Sequence, residues 1–591
     1  MITLDFETEA IVGNPLVNPP MPVGLAVDWG NAFKDYYTGW VDIEKYWRKA
    51  LEVFPEEPLL FHHSSFDLSV GCHWFGTPWP HWSRVHDTLF LAFIADPYSP
   101  TLSLKPLSER YLGMPPEEQS ELHAWIYANV PEATPKTAGA FISRAPVALV
   151  APYAIGDVVR TRRLFDHLCP LVPPEPYDRE RRLAPKLAES SRRGIRVDRE
   201  RLEKDTALCS AGMDSADQQI FGILGTEPFN VASGDELAAA LDKAGKVSSW
   251  TLTPKGKRSV AKDNLLAGIA DKQLLNLIAY RSTMKTCVGT FMRPWLDLSA
   301  ADGRVHTEWN QVANDESAKG HGGTRTGRLS SARPNFQNPP NPFGLVIPEG
   351  LAALPNMRSY LLPELGHVWI KRDFSSQEVR ILAHFEDGTL MELYRDDPFF
   401  DPHEHARILI HGITGIWYVR KDVKIVGFSI IYGSGVRGLA SQLGRPLDEA
   451  HTLREAYFKA MPSAPALARA TSARGRSGGC VTTWGGRTYF VEAPRVIGGR
   501  VQSFEYKLLN YLIQGSAADQ TKQVLCDWWE DPGREAVFMA TIHDEINASA
   551  PEELWQEEMH RLRRCMDQDY FDVPMRSEGE WGPNTAQVRT L

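Results

Sequence analysis

Four side chains recur at strict four-residue intervals: Arg420, Lys424, Phe428 and Tyr432. On a helix that spacing stacks them along one face, about 6 Å apart per step, so two cations, a ring and a phenol line one wall. Cations suit a triphosphate, and rings suit a sugar and base. Taken alone, such a stripe is equally the outer side of an amphipathic surface helix. An isolated Asp373 upstream and an Ile542-His543-Asp544-Glu545 cluster downstream change that reading. Two aspartates at the ends of adjacent strands can grip the metal pair used for in-line attack on a phosphate. Either aspartate by itself would be an ordinary turn acid; beside the cationic helix they are the parts of a nucleotidyl-transfer site.

A second set of acids opens the chain. In Ile2-Thr3-Leu4-Asp5-Phe6-Glu7 the apolar residues take the even positions, so Asp5 and Glu7 share the opposite face of a strand. A solvated strand face is the ordinary explanation of such a pair. Phe66-Asp67 after a hydrophobic strand, and Tyr153 one helical turn before Asp157, add to it. Asp5, Glu7, Asp67 and Asp157 have the donors to hold two divalent ions for phosphodiester cleavage, with Tyr153 set to orient the attacking water. Oxygen-only ligands point to Mg²⁺ or Mn²⁺ over zinc.

The elements that must position these groups span 591 residues, too long for one hydrophobic core. Pro170, Pro173, Pro174 and Pro176 suggest a linker over residues 169–177. From Tyr177 to about Leu298 the periodicity is helical, and Arg179 to Lys204, Arg281 and Lys285 suggest an arm with a basic side. A Gly, Asn and Pro-rich stretch from His321 to Gly344 precedes a strand at Val368-Trp369-Ile370 that leads into Asp373. Helices, a Gly/Arg-rich loop from Arg474 to Arg500 and a final hairpin around Asp544 follow. The fold class expected is α/β and α+β multidomain. Seven scattered cysteines without zinc spacing fit free thiols in a reducing compartment. No apolar run is long enough for a membrane span, and Met1 begins a strand-like segment, so neither a signal peptide nor a membrane is expected and the location expected is cytoplasmic. A net charge of -10 argues against nonspecific polyanion binding by the whole surface, not against a basic groove on an acidic body.

Residues 1–168 resemble the DnaQ-like 3′→5′ proofreading exonucleases through Asp5-x-Glu7, Phe66-Asp67 and Tyr153-x-x-x-Asp157. The resemblance implies an RNase H-like, active exonuclease domain that takes single-stranded 3′ ends, with Asp87 as a structural acceptor; His63 departs from the family pattern. Residues 178–591 resemble the family A, polymerase-I-like DNA polymerases. The motifs are Thr324-Arg325-Thr326-Gly327-Arg328-Leu329-Ser330-Ser331, Pro334-Asn335-Phe336-Gln337-Asn338, Asp373-Phe374-Ser375-Ser376-Gln377-Glu378, the Arg420 to Gly433 series, Asn510-x-x-x-Gln514-Gly515 and His543-Asp544-Glu545. That resemblance implies a right-hand polymerase, with a thumb at about 178–300, a palm at about 301–385 and 500–591, and fingers at about 386–499. Its partners would be primer-template DNA, dNTPs and two Mg²⁺ per site, with Mn²⁺ as a substitute, and replisome proteins are candidates.

By the same resemblance Asp373 and Asp544 bind the metals, Arg420 and Lys424 the triphosphate, Phe428 the deoxyribose, and Tyr432 lies beside the nascent pair. Glu378 is the steric gate against ribonucleotides. Arg328, Asn510 and Gln514 contact the minor-groove side of the primer-template, and His543 supports the primer end. Departures are Ser376 where Gln is usual, Gly427 and Ser429 around Phe428, and Tyr506 where a basic residue is common, with Lys507 as a substitute. Phe428 implies discrimination against dideoxynucleotides. The start at the exonuclease strand implies a monomer of the compact phage type, without a 5′-nuclease domain. A single-subunit RNA polymerase is disfavoured by Glu378 and by the exonuclease carboxylates, and a nuclease with a DNA-holding body by the second catalytic set.

Overall fold

The computed structural model describes residues 1–590 apart from 31–32, 254, 262–263, 266–267, 314–321 and 341–344. The two ends of the Gly, Asn and Pro-rich stretch, His321 and residues 341–344, lie outside the described residues.

The N-terminal sheet has the order β3-β2-β1-β4-β5, with β1 Ile2–Thr8, β2 Pro22–Asp28, β3 Lys34–Thr38, β4 Leu59–Phe61 and β5 Val85–Asp87. The pairs β1/β2 and β2/β3 are antiparallel, while β1/β4 and β4/β5 are parallel. Alternation along β1 sends Ile2, Leu4 and Phe6 into an apolar cluster, with Phe6 5.1 Å from the ring of Trp47. The other face, expected to be solvated if the acids were decoration, lies in reach of the Val147–Leu168 helix and is largely buried. Glu7 pairs with Gly24 across the sheet, and a side chain at Gly24 would collide with the Tyr36 ring that packs there.

The expected linker is instead helical. Residues Cys169–Leu171 form a short turn and Pro174–Arg193 a full helix, with Pro173 at its N-cap and Pro174 and Pro176 in its first turn, where a missing N–H costs nothing. This helix is gripped from both sides. The Asp87 amide donates to the Tyr177 hydroxyl, and Arg181 donates to the carbonyls of Val85 and Ser83 on the N-terminal unit. On the C-terminal side Arg179 reaches the Gly485 carbonyl and Arg182 pairs with Glu530. These arginines, with Arg281 bound to Asp217, are spent on internal partners, so the expected basic side of the arm is largely neutralised.

The C-terminal half is built on a five-stranded antiparallel sheet ordered Val537–Ile542, Glu545–Pro551, His367–Phe374, Ser577–Gly582 and Arg589–Thr590. The hairpin around Asp544 is therefore not final; a helix, Trp555–Met566, and two more strands follow it. The helix Trp555–Met566 packs on the sheet, and the helix Lys507–Glu530 packs against it and is buried along most of its length. The expected loop from Arg474 to Arg500 is mostly ordered: it starts in the helix Ser463–Arg476 and contains the Val481–Thr482/Thr488–Tyr489 ladder and part of the Arg495–Ile497/Arg500–Gln502 hairpin. The helices Arg199–Leu224 and Lys272–Thr286 pack together around a separate apolar cluster. All seven cysteines are free, and among the described residues no helix is long and apolar enough to cross a membrane.

Candidate active sites

On the N-terminal sheet, Asp5, Glu7 and Asp157 present oxygen atoms that all lie within 4.8 Å of one another. Burial, then Asp157, pushes the Asp5 carboxyl up to about 8. Burial and the neighbouring charges of Asp5 and Asp157 push Glu7 well up. Asp67 stands at the edge of this group, in the first turn of the Ser64–Phe75 helix; its Oδ1 accepts from the Phe6 amide at 2.9 Å, and burial followed by Asp5 raises it too. The Asp157 Oδ1 atom is buried and has no hydrogen-bond partner among the described residues. Carboxylates that repel one another in a buried cleft, one with an orphaned oxygen, form a donor set that fits a divalent cation. Tyr153 lies one turn from Asp157, as its spacing predicts, with its hydroxyl far above the ordinary phenol range through burial and then Glu7 and Asp157.

Sequence reasoning missed Lys105, whose Nζ donates to Asp157 Oδ2 at 2.6 Å and lies 4.0 Å from the Tyr153 ring centroid. Nothing in its local sequence marks it, because the contact is made across 52 residues. Asp87 is the structural acceptor expected: it takes the amides of His63, Ser64 and Leu89 and the Ser64 hydroxyl. His63 sits in the left-handed region at φ 75°, so its departure from the family pattern is absorbed by a backbone bond to Asp87.

The C-terminal sheet opens on a cleft of about 590 Å³ lined by Arg328, Asp373, Ser376, Glu378, Lys424, Phe428, Tyr432, His543 and Asp544, with Glu578 and the segment around Phe374. Asp373 lies at the end of its strand, paired in register with Glu545, and Asp544 occupies the turn just before that residue. Desolvation, then the charges of Asp544 and Glu545, push the Asp373 carboxyl up to about 7 against the pull of Lys371. Asp373 remains exposed to the cleft, where water weakens both the desolvation and the charge contributions. Asp544 is also raised, chiefly by burial. Burial and then Arg328 lower His543, which holds φ 61° in the tight turn.

The helix Arg420–Ile431 carries its stripe outward, and Gly433 at φ 64° ends it. Lys424 lies 5.7 Å from the Phe428 ring, and the rings of Phe428 and Tyr432 stack at 6.0 Å. Arg420 does not line the cleft: its guanidinium is held by Asp401 through contacts of 2.7 and 3.1 Å. Glu378 is buried, bonded to Arg328 through one oxygen and to the Tyr432 hydroxyl at 3.1 Å through the other. Asn510 and Gln514 lie half-buried on the helix Lys507–Glu530.

The departures acquire physical reasons. Gln377 is buried and its amide donates to Gln520 and Ala517, tying the Gln377–Glu386 helix to Lys507–Glu530, while Ser376 adopts a left-handed N-cap. Gly427 lets the Tyr457 hydroxyl approach, and the Ser429 hydroxyl turns back to the Val426 carbonyl at 2.6 Å. Lys507 is no free substitute for a basic residue at 506, since it pairs with Glu492 at 2.8 Å. His403 was also missed: it is buried, both ring nitrogens lack a hydrogen-bond partner among the described residues, and its ring lies 6.0 Å from Phe428. Burial, then Lys424 and Arg420, lower it to about 4.

Residues 199–587 match the family described as DNA polymerase family A. A thermostable DNA polymerase I from Thermus filiformis is 30% identical over 71% of this chain and 49% of its own length. DNA polymerase I from Pseudomonas aeruginosa is 27% identical over 91% of this chain and 57% of its own. The chain thus spans about half the length of the first curated relatives it matches. DNA polymerase DpoZ of Salmonella phage PMBT28 is 26% identical over 99% of this chain and 96% of its own. The POL domain of Pol1 from M. smegmatis, solved in complex with DNA primer-template and dNTP, superposes with a TM-score of 0.74 at 22% identity, covering 99% of this chain and 95% of that one, and so shares its fold.

Proposed function

The chain belongs to DNA polymerase family A, and from that footing we propose that it extends a primer 3′-end with dNTPs under template direction, with a 3′→5′ exonuclease in residues 1–168 for proofreading. The observation that carries the polymerase reading is the single cleft into which Asp373, Asp544, Lys424, Phe428, Tyr432, Glu378 and Arg328 converge. The β3-β2-β1-β4-β5 sheet with its carboxylate group supports an RNase H-like nuclease. The phage relative that spans nearly the whole chain supports a role in phage DNA replication. We assign the thumb to about 178–300, the palm to about 301–385 and 500–591 and the fingers to about 386–499, an assignment that puts the five-stranded sheet in the palm.

Asp373 and Asp544 would hold the cation pair at the polymerase cleft, and Asp5, Glu7, Asp67 and Asp157 would hold it at the exonuclease. Mg²⁺ bound there would supply charge neutralisation at the reacting phosphate and favour ionisation of the attacking hydroxyl or water. Lys424 neutralises the triphosphate, and Arg420, one turn further out, joins it only on release from Asp401. Phe428 supports the deoxyribose, and Tyr432 stands beside the new pair. Glu378, fixed by Arg328 and Tyr432, is a rigid wall against a 2′-hydroxyl. Arg328, Asn510 and Gln514 face acceptors common to all base pairs in the minor groove, and His543 steadies the primer end. In the exonuclease, Tyr153 orients the attacking water.

The test offers a labelled primer-template one dNTP at a time with Mg²⁺. Growth only with the nucleotide complementary to the next template base, abolished in Asp373→Asn and Asp544→Asn, is the expected result. Untemplated addition, or extension that survives both substitutions, would overturn the reading.

A further inference from the structure

The strands Arg495–Ile497 and Arg500–Gln502 form a ribbon in which every residue is exposed. Its turn is Gly498-Gly499, with φ of 57° and 77°. Positive φ at both central residues matches the natural twist of a hairpin, so the ribbon takes its shape from its own turn. Val496 stands directly opposite Val501, and the two share one face, 72% and 75% exposed. Arg495, Ile497, Arg500 and Gln502 share the other. Apolar side chains on an uncovered ribbon invite a partner.

Charge selects the class of partner. Residues 493–503 contain two arginines and no acid. Arg474 and Arg476, at the end of the helix Ser463–Arg476, are exposed, and neither they nor Arg500 enter an ion pair among the described residues. Gly475, between them, abuts Val491 and Glu505 on either side of the root of the ribbon. The acids there are already engaged: Glu492 is buried and shared by Arg325, Arg495 and Lys507, and Glu505 feels the charge of Arg476. Past the ribbon the chain returns through the buried Phe504 to Tyr506, which packs against Gly433. Gly433 follows Tyr432, so the ribbon is rooted at the Tyr432 end of the helix Arg420–Ile431, the far end from Arg420.

We infer that this ribbon parts the strands of duplex DNA lying ahead of the nascent pair. Val496 and Val501 press on the first closed base pair, while Arg495, Arg500, Arg474 and Arg476 hold phosphates of the parting strands. Apolar side chains wedged at a base step unstack it, and cations on phosphates hold the duplex in place while they do. The inference rests on the polymerase reading and goes beyond it, since extension along a single-stranded template needs no such element.

The test uses the full chain carrying Asp5→Ala/Glu7→Ala, so that primer shortening does not compete. A labelled primer is extended with the four dNTPs on a template bearing an annealed strand directly ahead of the primer, and on the same template without that strand. Val496→Thr/Val501→Thr retains a good strand former at both positions. It should slow extension into the annealed strand about tenfold or more, the scale of a base step that must unstack without help, and leave the open template near wild type. Arg495→Gln/Arg500→Gln should also slow the annealed substrate selectively, and should reduce its salt dependence. A 2-aminopurine in the template at the first closed pair reads opening without synthesis: wild type should brighten it in the absence of dNTPs, and neither variant should. Stalling of wild type at the annealed strand, equal slowing of both substrates by either variant, or unchanged brightening in both variants would overturn the inference; the last result would leave the ribbon to a protein partner. Failure of wild type to extend on the open template would instead overturn the polymerase reading, and the 2-aminopurine comparison would still decide the role of the ribbon.

Discussion

Lys522 and Glu180 form an ion pair whose side chains are 1% and 2% exposed, tying the helix Lys507–Glu530 to the helix Pro174–Arg193. Lys522 also donates to the Gln311 carbonyl at 3.0 Å, and Glu180 accepts from the Gln311 amide at 2.9 Å. Lys522→Met keeps the length of the side chain and removes the charge. Glu180 is then a buried carboxylate with one neutral donor, and breaking a buried pair in this way costs about 3–5 kcal/mol. Replacing both partners removes the uncompensated charge, so Lys522→Met/Glu180→Met should recover to within about 1–2 kcal/mol of wild type. Urea unfolding followed by tryptophan fluorescence reads the difference as a fall in midpoint at unchanged slope. A loss below about 1 kcal/mol in Lys522→Met, or a double variant no better than the single, would refute the reasoning, since both require that the pair is desolvated.

Glu378→Ala, by opening the wall that meets the sugar, should raise the ribonucleotide-to-deoxyribonucleotide ratio of kcat/KM by at least about tenfold, in line with what one lost steric contact is worth. Phe428→Tyr adds a hydroxyl that can replace the missing 3′-hydroxyl interaction, so discrimination against dideoxynucleotides should fall about tenfold, the worth of one hydrogen bond, in a competition assay. With chelator present, the melting temperature of the N-terminal unit should fall as pH rises from 5 to 9. Asp5, raised from 3.8 to about 8 by burial and then by Asp157, keeps a proton in the folded state that the unfolded chain has already released, so its contribution is complete below about pH 4 and is lost through about pH 8. Mg²⁺ or Asp5→Asn should flatten that slope in differential scanning calorimetry.

The cleft was legible wherever chemistry followed local spacing. The stripe from Arg420 to Tyr432 lies on one helix, and the alternation in Ile2 to Glu7 set both acids on one face of a strand. Contacts made by distant segments were not legible. Lys105 meets Asp157, and Asp401 holds Arg420, only because the chain folds them together. Proline misled for a related reason: the same residues that interrupt a helix interior are welcome in a first turn, which is where Pro174 and Pro176 stand. The arginines of that helix read as a basic surface because sequence records charge without recording partners such as Glu530.

The central claim is that one chain carries two separable carboxylate sites, one that builds DNA and one that removes it. The most direct measurement follows a labelled primer on a template with Mg²⁺, with and without the four dNTPs, for wild type, Asp5→Ala/Glu7→Ala and Asp544→Ala. Wild type should extend the primer with dNTPs and shorten it without them; the double variant should lose only shortening, and Asp544→Ala only extension. Shortening without any extension by wild type, or loss of both activities in either variant while the fold is retained, would contradict it.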